Sequence, residues 1–368
     1  MGRYHYLVRV LIDATSVLLR SAGIKSYTYH WIEHLRAIAG DDEILAFPYL
    51  NGLGRLDHER SVLTPAATYA RLGMLYFVNV PGNRAIDWIA SGADVFHVSN
   101  QVRNPPRKVP LTATIHDLTC WLMPQLHTAA NVRADQSFAS QVLKRSRRLI
   151  AVSENSREDA IRILDIDPER IDVIYSGVSD AYFTAQATAA AKPYVLFVGT
   201  IEPRKNVDTL LDAWHMVRPD VRDAFDLVII GATGWGSAAT LARLNASAES
   251  VRYRGYVDER ELPGVTAGAS AFVYPSLYEG FGFPVAQAMA CGVPVITSNN
   301  SCLPEIAGPG ALLIDPRSPV QIASALDQLL TSPSLAAHIG SEGRRRAENY
   351  RWTACAQRSL DFFRKAAG

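Results

Sequence analysis

The sequence has no long apolar run. Its most hydrophobic stretches, Val195–Gly199 and Leu227–Gly231, fall far short of the roughly 20 residues that cross a bilayer. Arg9 and Asp13 interrupt the first apolar segment, so no secretory signal is expected there. Charge of one sign is also missing: the formal net charge is +1 over 368 residues, which excludes a global basic footprint for nucleic acid. Cysteine is scarce. Cys120, Cys291, Cys302 and Cys355 form no CxxC pair, which argues against structural zinc and for a reduced, cytoplasmic setting. A full GxGxxG fingerprint is absent, so a nicotinamide-binding reading is poor. What remains is 48% hydrophobic and 20% charged, the balance of a soluble globular chain long enough for about two domains.

Strand-like and helix-like segments alternate in two halves. Strands are expected at Tyr6–Asp13, Ile44–Leu50, Asp94–Val98, Leu111–His116 and Leu149–Val152. Gly23 opens a helix carrying Ile24, Tyr27, Trp31 and Leu35, and a further helix covers Val132–Arg145. Ser153 has the placement of an N-cap, with Glu154 in the first turn. After Tyr182 the composition shifts: Thr184–Ala191 is Ala, Thr and Gln, which reads as a linker or as a helix end. Alternation then resumes, with strands at Tyr194–Gly199, Asp226–Gly231, Ser270–Tyr274 and Val293–Thr297. Helices at Val207–Val217 and Val285–Cys291 lie between them, and Ala354–Ala366 forms a terminal helix. The expected fold is α/β, with two Rossmann-like doubly wound domains. Residues 1–183 form the first, 184–350 the second, and 351–368 a helix crossing back to the first. Ligands of such sheets bind beyond the carboxyl ends of the strands, so two facing sheets would share one cleft.

Four stretches stand at those strand ends. In Gly199-Thr200-Ile201-Glu202-Pro203-Arg204-Lys205-Asn206, two adjacent cations meet a helix start, a setting suited to a diphosphate. Alone, the same residues also fit a solvated basic turn. In Pro275-Ser276-Leu277-Tyr278-Glu279-Gly280-Phe281-Gly282-Phe283-Pro284, the glycines let backbone approach a ligand, and Glu279 can accept from sugar hydroxyls. A tight turn with Glu279 exposed is the plain alternative. In Thr114-Ile115-His116-Asp117, His116 can donate to a substrate oxygen, although a histidine at a strand end is more often structural. Ser21-Ala22-Gly23-Ile24-Lys25 offers backbone amides at a Gly-started helix.

Taken together and in order, these motifs resemble the family 4 glycosyltransferases, which have the glycosyltransferase-B fold. The similarity runs over nearly the whole chain. It is densest from "VLFVGTIEPRKN" through "RGYVDERELPGVTAGASAFVYPSLYEGFGFPVAQAMACGVPVITS" to "LPEIAG" and "ALLIDP", with "TIHDL" and "VSENSRED" in the first half. The resemblance implies that Arg204 and Lys205 bind the donor diphosphate. It implies that Glu279 and the backbone of Gly280, Phe281, Gly282 and Phe283 meet the donor sugar, and that His116 lies near that sugar. Val257 would offer backbone contacts to the base, and Gly23 a contact in the first glycine loop. The family usually shows a second Glu after seven intervening residues; here that position, which would hold the ribose, is Gln287. Close relatives often read Gly-Ile-Gly in the first loop; here Lys25 stands at the second Gly.

The implied activity is retaining transfer of a hexose from a nucleotide diphosphate sugar, with no essential metal and no resident cofactor. The wording of "GTIEPRKN" resembles bacterial mannosyl- and rhamnosyltransferases of surface polysaccharide and lipopolysaccharide synthesis. GDP-mannose or a related GDP-sugar is therefore the first candidate donor, and a glycan or lipid-linked hydroxyl the acceptor. An epimerase or phosphorylase on the same architecture, or a non-catalytic nucleotide-sugar binder, are the competing readings. Basic clusters at Lys144, Arg145, Arg147, Arg148 and at Arg103, Arg107, Lys108 suggest peripheral contact with the inner membrane face, against ordinary solvated charges.

Overall fold

A computed structural model describes residues 7–20, 23–50, 52–57, 59–247 and 249–368. The strand expected from Tyr6 and the loop residues Ser21 and Ala22 begin or lie outside these. The chain divides into two compact units: Met1–Gly177 with Trp352–Gly368, and Val178–Arg351.

The first unit is built on β1 (Arg9–Asp13), β2 (Glu43–Phe47), β3 (Val95–Val98), β4 (Leu111–Ile115), β5 (Arg148–Ala151) and β6 (Ile171–Val173). All pairings are parallel, in the order β2-β1-β3-β4-β5-β6. β3 and β4 are buried at every position, as a sheet covered on both faces requires. The short β6 carries only three residues, too few for a periodicity to announce it. The helix Gly23–Ile38 packs against the terminal helix Trp352–Ala367, and Trp31 Nε1 donates to Ser359 Oγ at 2.9 Å across that contact. Ser153 caps the helix Glu154–Leu164 by accepting from Ser156 N at 3.1 Å.

The second unit contains β7 (Tyr194–Val198), β8 (Asp226–Ile230), β9 (Val251–Tyr253), β10 (Ala271–Tyr274), β11 (Val295–Ser298) and β12 (Ala311–Ile314). Again every pairing is parallel, in the order β12-β11-β10-β7-β8-β9. The division falls at Gly177, six residues before the expected boundary at 183. The stretch 184–191 is coil that belongs wholly to the second unit. Thr188 N donates to Gly264 O at 2.9 Å, and a Cβ on Gly264 would sit 2.6 Å from Thr188 Oγ1. The segment's small side chains let its backbone lie against the helix Leu262–Ala267, which explains a composition that otherwise reads as a linker. Preceding it, Tyr182 and Phe183 are buried, and Arg344 Nη2 donates to Phe183 O at 2.5 Å.

In each sheet the strand order reverses once: between β1 and β3 in the first, and between β7 and β10 in the second. Connections leave in opposite directions at these points and open a crevice at the carboxyl ends, where ligands of open α/β sheets bind.

Candidate functional site

The reversal in the second sheet brings together the loop after β7 and the loop after β10. Leu277 N donates to Arg204 O at 2.9 Å, and Asn206 Nδ2 donates to Pro275 O at 3.0 Å. Pro203–Lys205 is a single 3-10 turn, and Asn206, at φ 60°, begins the helix Val207–Met216. Arg204 and Lys205 therefore precede the helix rather than occupying its first turn. Both turn onto Glu279. Arg204 Nη1 donates to Glu279 Oε2 at 2.9 Å and Lys205 Nζ to Glu279 Oε1 at 2.6 Å. Arg204 Nη2 reaches Glu202 Oε1 at 2.9 Å. Lys205 Nζ also donates to the Tyr274 hydroxyl at 2.8 Å, which in turn donates to Glu279 Oε1 at 3.0 Å. Ser276 Oγ adds a fourth donor to that carboxylate at 2.6 Å.

Glu279 is 7% exposed, so the alternative of an exposed turn residue is excluded. Burial by itself would raise its pKa. The charges of Arg204 and Lys205, with hydrogen bonds from Lys205 and Ser276, outweigh burial and bring it down to about 2. Tyr274 moves the other way: burial first, then the Glu279 charge, hold it well above the phenol range. Two cations and two carboxylates, Glu202 and Glu279, thus form one buried network at the reversal point.

Around it, Gly282 sits at φ 82° before the helix Phe283–Ala290, and a Cβ there would meet Leu303 Cδ2 at 2.7 Å. Only glycine fits that backbone and that space. Glu279 N is held by Ser301 Oγ at 3.1 Å, so the turn is fixed from β11's side as well. Gly280 is buried, and Phe281 packs its ring against Phe283 and Tyr350, so it offers a ligand backbone and not side chain. Gln287 lies one helical turn beyond Phe283, on the same face, half-buried. Val257 follows β9, 7% exposed, just past Gly255, whose carbonyl accepts from Gly231 N at 2.8 Å. Every donor-side residue expected from the sequence in this unit therefore follows the carboxyl end of one of its strands. The sequence did not single out Tyr274, Ser276 and Ser301 as partners of Glu279; "PSLYEG" contains Ser276, whereas nothing marks the other two.

In the first unit, the reversal between β1 and β3 is tied by Asp13, whose Oδ2 accepts from Gln101 N at 3.0 Å and Val102 N at 3.1 Å. From there a row of hydroxyls runs to His116. Ser16 Oγ donates to Thr28 Oγ1 at 2.8 Å, Thr28 Oγ1 lies 3.4 Å from Ser99 Oγ, and Ser99 Oγ lies 3.3 Å from His116 Nε2. His116 sits edge-on to Tyr27, with centroids 5.0 Å apart. Burial lowers its pKa to about 4 against the opposing pull of Asp117, so the imidazole is neutral at pH 7. A second histidine, His97 on β3, is held by Thr112 and Thr114 at 2.9 Å each, and burial brings it down to about 3.

Gly23 starts its helix as expected, and a Cβ there would meet nothing within 4 Å. Lys25, which stands at the expected second glycine, turns its side chain away from this loop's amides. It is fully buried, and Nζ donates to Leu19 O at 2.8 Å and Arg60 O at 2.5 Å. Its charge is turned inward on carbonyls, where it ties the loop after β1 to the segment around Arg60. A larger hollow, about 450 Å³, opens near Lys192, Tyr194, Asp226 and Arg252. It lies at the amino ends of β7 and β8, away from this chemistry. Among the described residues, no group of three or more His, Cys, Asp or Glu is placed to hold a metal ion.

Comparison with known proteins decides the family. Residues 178–346 match the description "Glycosyl transferases group 1" and residues 21–182 match "Glycosyltransferase Family 4". O-antigen chain mannosyltransferase B of Escherichia coli is 30% identical over 272 residues, covering 71% of either chain. The chain belongs to glycosyltransferase family 4. This glycosyltransferase is also 29% identical over 230 residues to an MMP alpha-(1->4)-mannosyltransferase of Mycolicibacterium hassiacum, spanning 61% of its own length and 56% of that relative's. In fold it matches sucrose-phosphate synthase from Thermosynechococcus elongatus, with TM-score 0.75 at 20% identity over 98% of this chain and 99% of that one. HepE of Anabaena in complex with UDP-glucose matches with TM-score 0.71 at 17% identity, over 98% and 100%. The glycosyltransferase has the glycosyltransferase-B fold expected from its motifs.

Proposed function

We propose that this glycosyltransferase moves a hexose, with retention, from a nucleotide diphosphate sugar to a hydroxyl of a glycan or lipid-linked acceptor. GDP-mannose or a related GDP-sugar is the first candidate donor, because relatives over much of the chain are named O-antigen chain mannosyltransferase B and serotype-specific mannosyltransferase WbdA. The observation that carries the reading is the convergence of Arg204 and Lys205 on one buried carboxylate at the strand reversal of the second sheet. Bond cleavage at the anomeric carbon leaves a nucleoside diphosphate that gains charge. Fixed cations beside that charge stabilise it without reorganisation and without a metal ion or resident cofactor. The acceptor hydroxyl attacks on the face that the phosphate leaves, and a departing phosphate oxygen takes its proton. His116, neutral and hydrogen-bonded, serves the sugar as a hydrogen-bonding group. Gly23, Val257, Gly280, Phe281, Gly282, Phe283 and Gln287 serve as donor contacts.

The test is product analysis from GDP-mannose labelled at C1, with mannose oligosaccharides as acceptors. Transfer with an α-linked product, unchanged by chelator, is expected. An inverted linkage, or activity that disappears with chelator and returns with Mg²⁺ or Mn²⁺, overturns the corresponding part. Release of an epimerised donor or a sugar 1-phosphate would favour the epimerase or phosphorylase reading.

Peripheral membrane contact belongs to the same proposal, centred on Arg107 and Lys108 of the second basic cluster. Arg103 donates to Asn100 O and lies 4.9 Å over the Phe138 ring, and Arg148 is paired with Asp172 at 2.6 Å, so neither is a spare surface charge. Arg84, Arg107 and Lys108 gather around Asp87, and the neighbouring Trp88 is 79% exposed; Tyr76 and Phe77 at the end of the preceding helix are exposed as well. Exposed aromatics beside cations suit an anionic bilayer surface. Among the described residues no helix is long and apolar enough to cross a membrane. Sedimentation with phosphatidylglycerol vesicles at low salt is expected for the wild type and is lost in Trp88→Ser; equal sedimentation of both removes this patch.

A further inference from the structure

The hollow of about 450 Å³ on the second sheet lies wholly within the second unit. Its volume falls in the range of about 300–1,000 Å³ in which small ligands are held. The floor follows from the strand register. Tyr194 pairs with Asp226 and Val228 with Arg252, and partners in a parallel ladder point to the same face. Burial alternates along these strands: Leu227, Ile229 and Val251 are buried, whereas Asp226 and Val228 are half-buried and Arg252 is exposed. A doubly wound sheet is normally covered on both faces, and here one face stays open beside the edge strand β9. The rim is fixed: the Tyr194 hydroxyl donates to Val265 O at 2.5 Å, and Thr188 N anchors the coil 188–191 on Gly264 O. Three cations line the hollow, Lys192, Arg252 and Arg254, against one carboxylate, Asp226. Lys192 Nζ donates to Asp226 Oδ1 at 3.0 Å and Arg252 Nε to Asp226 Oδ2 at 3.3 Å, so two cations share that single anion. Arg254 has no carboxylate partner among the described residues, and its charge opposes the rise that burial imposes on the Tyr194 phenol. An excess of two positive charges therefore gathers beside the apolar side chains of Val228 and Val265.

We propose that this hollow is a second ligand site, that it binds a phosphate monoester through Lys192, Arg252 and Arg254, and that the ester's apolar body lies on Val228 and Val265. A phosphate monoester carries a charge of about −1.5 to −2 at neutral pH, which matches the excess in the lining. Its three acceptor oxygens can take a bond from each cation, whereas a carboxylate has only two oxygens and one charge to offer. The site is distinct from the donor network. That network follows the carboxyl ends of β7 and β10, whereas Lys192 precedes the amino end of β7. Charges on an edge strand also serve to discourage pairing with another sheet. Cations kept for that purpose alone would show no preference for an ester with an apolar body.

The experiment is calorimetry of the full chain with phenyl phosphate, inorganic phosphate and phenol as probes, in about 0.15 M salt, where loosely held ions are screened. Phenyl phosphate is expected to bind at least about tenfold more tightly than inorganic phosphate, because its ring leaves water, and phenol is expected not to bind. Arg254→Gln should weaken phenyl phosphate about threefold to tenfold, the exposed guanidinium being partly screened, and leave GDP affinity unchanged. Val228→Trp, which fills the hollow and leaves the cations in place, should abolish phenyl phosphate binding. Lys205→Ala, at the donor network, should leave it intact. Absence of phenyl phosphate binding, equal affinity for the two phosphates, or unchanged binding in Arg254→Gln or Val228→Trp overturns the proposal and leaves these cations as guards of the edge strand. Loss of binding in Lys205→Ala with retention in Arg254→Gln also overturns it, by assigning the probe to the donor site. Sedimentation with phosphatidic acid vesicles then separates the sources of the phosphate. Weaker sedimentation of Arg254→Gln than of the wild type assigns it to a lipid headgroup, and equal sedimentation assigns it to a free ester.

Discussion

The two strand-reversal points use opposite electrostatics. In the second unit, four charged side chains are drawn into one buried network, with Glu279 ionised down to about pH 2. In the first, burial keeps the two histidines His116 and His97 neutral, hydroxyls line the way to His116, and the Asp13 carboxylate is spent on backbone amides. The same sheet geometry thus supports a buried charge network at one reversal point and a hydroxyl-lined one at the other; under the proposed function the first faces the diphosphate. A charge network is preorganised for a leaving group that becomes more anionic.

Breaking the charged side has the largest expected effect. Lys205→Ala or Arg204→Ala should reduce kcat/KM about 10²–10³-fold, the usual consequence of removing one preorganised contact to developing charge. Melting temperature should fall as well, because Glu279 stays buried with one cation fewer. Near-normal kcat/KM in both variants would remove the network from catalysis and leave it a structural ion cluster.

Next comes acid stability. The folded pKa of Glu279, about 2, lies below the ordinary carboxylate value of about 4.3, so its contribution is present above that value. It is lost as pH falls toward 2, because the unfolded chain takes up the proton first. Glu279→Gln should be less stable than wild type at pH 7, and the gap should close as pH approaches 2. A gap that stays constant with pH would mean that the carboxylate's charge is not what matters.

The neutral side gives a smaller effect in a different window. His116 titrates near 4 in the folded protein and near 6.5 unfolded, so the unfolded state binds more protons between those values. Stability therefore falls as pH drops from about 6.5 to 4, and His97 extends the same trend to about 3. His97→Gln should flatten part of this slope in urea melts across pH 4–6.5. Loss of activity with an apparent pKa near 6.5, absent in His116→Gln, would contradict the neutral, buried imidazole.

Parts of this comparison were legible in the residues and parts were not. Parallel-sheet strands announce themselves as short apolar runs, and the loops after β7, β10 and β4 carried glycines, cations and His116 within a few positions. The charge network did not show itself, because Lys205 and Glu279 are 74 positions apart and meet only through the strand order. The same applies to the row Ser16, Thr28, Ser99, His116, which draws three hydroxyls and one imidazole from four separate segments. Lys25 reads as a surface cation by type, and only the backbone carbonyls around it reverse that. The edge strands β6 and β9, three residues each, are too short to show a period.

The smallest expected effect tests whether charge can be added at the rim of the second site. Gln287 stands where the family resemblance of the sequence implies a glutamate, and the proposed role there is to hold the ribose. Gln287→Glu replaces a neutral acceptor by a charged one. Bonds to charged groups contribute about 1.5–3 kcal/mol against roughly 0.5–1.5 for neutral ones, so nucleotide binding should tighten by about 1 kcal/mol. The helix opposes part of this. Position 287 lies in the last turn of Phe283–Ala290, where the carbonyl end disfavours an anion by about 0.3–1 kcal/mol. Arg344 offsets some of that cost, because its Nη1 already donates to Ala290 O at 2.5 Å and places positive charge at the same terminus. The net gain in GDP affinity is therefore a few-fold at most, measurable by calorimetry on both proteins. Addition of 0.5 M salt should shrink it, since the site is half-exposed. Unchanged affinity at low and high salt would show that the ribose is held elsewhere, and that the second unit's charge chemistry ends at Glu279.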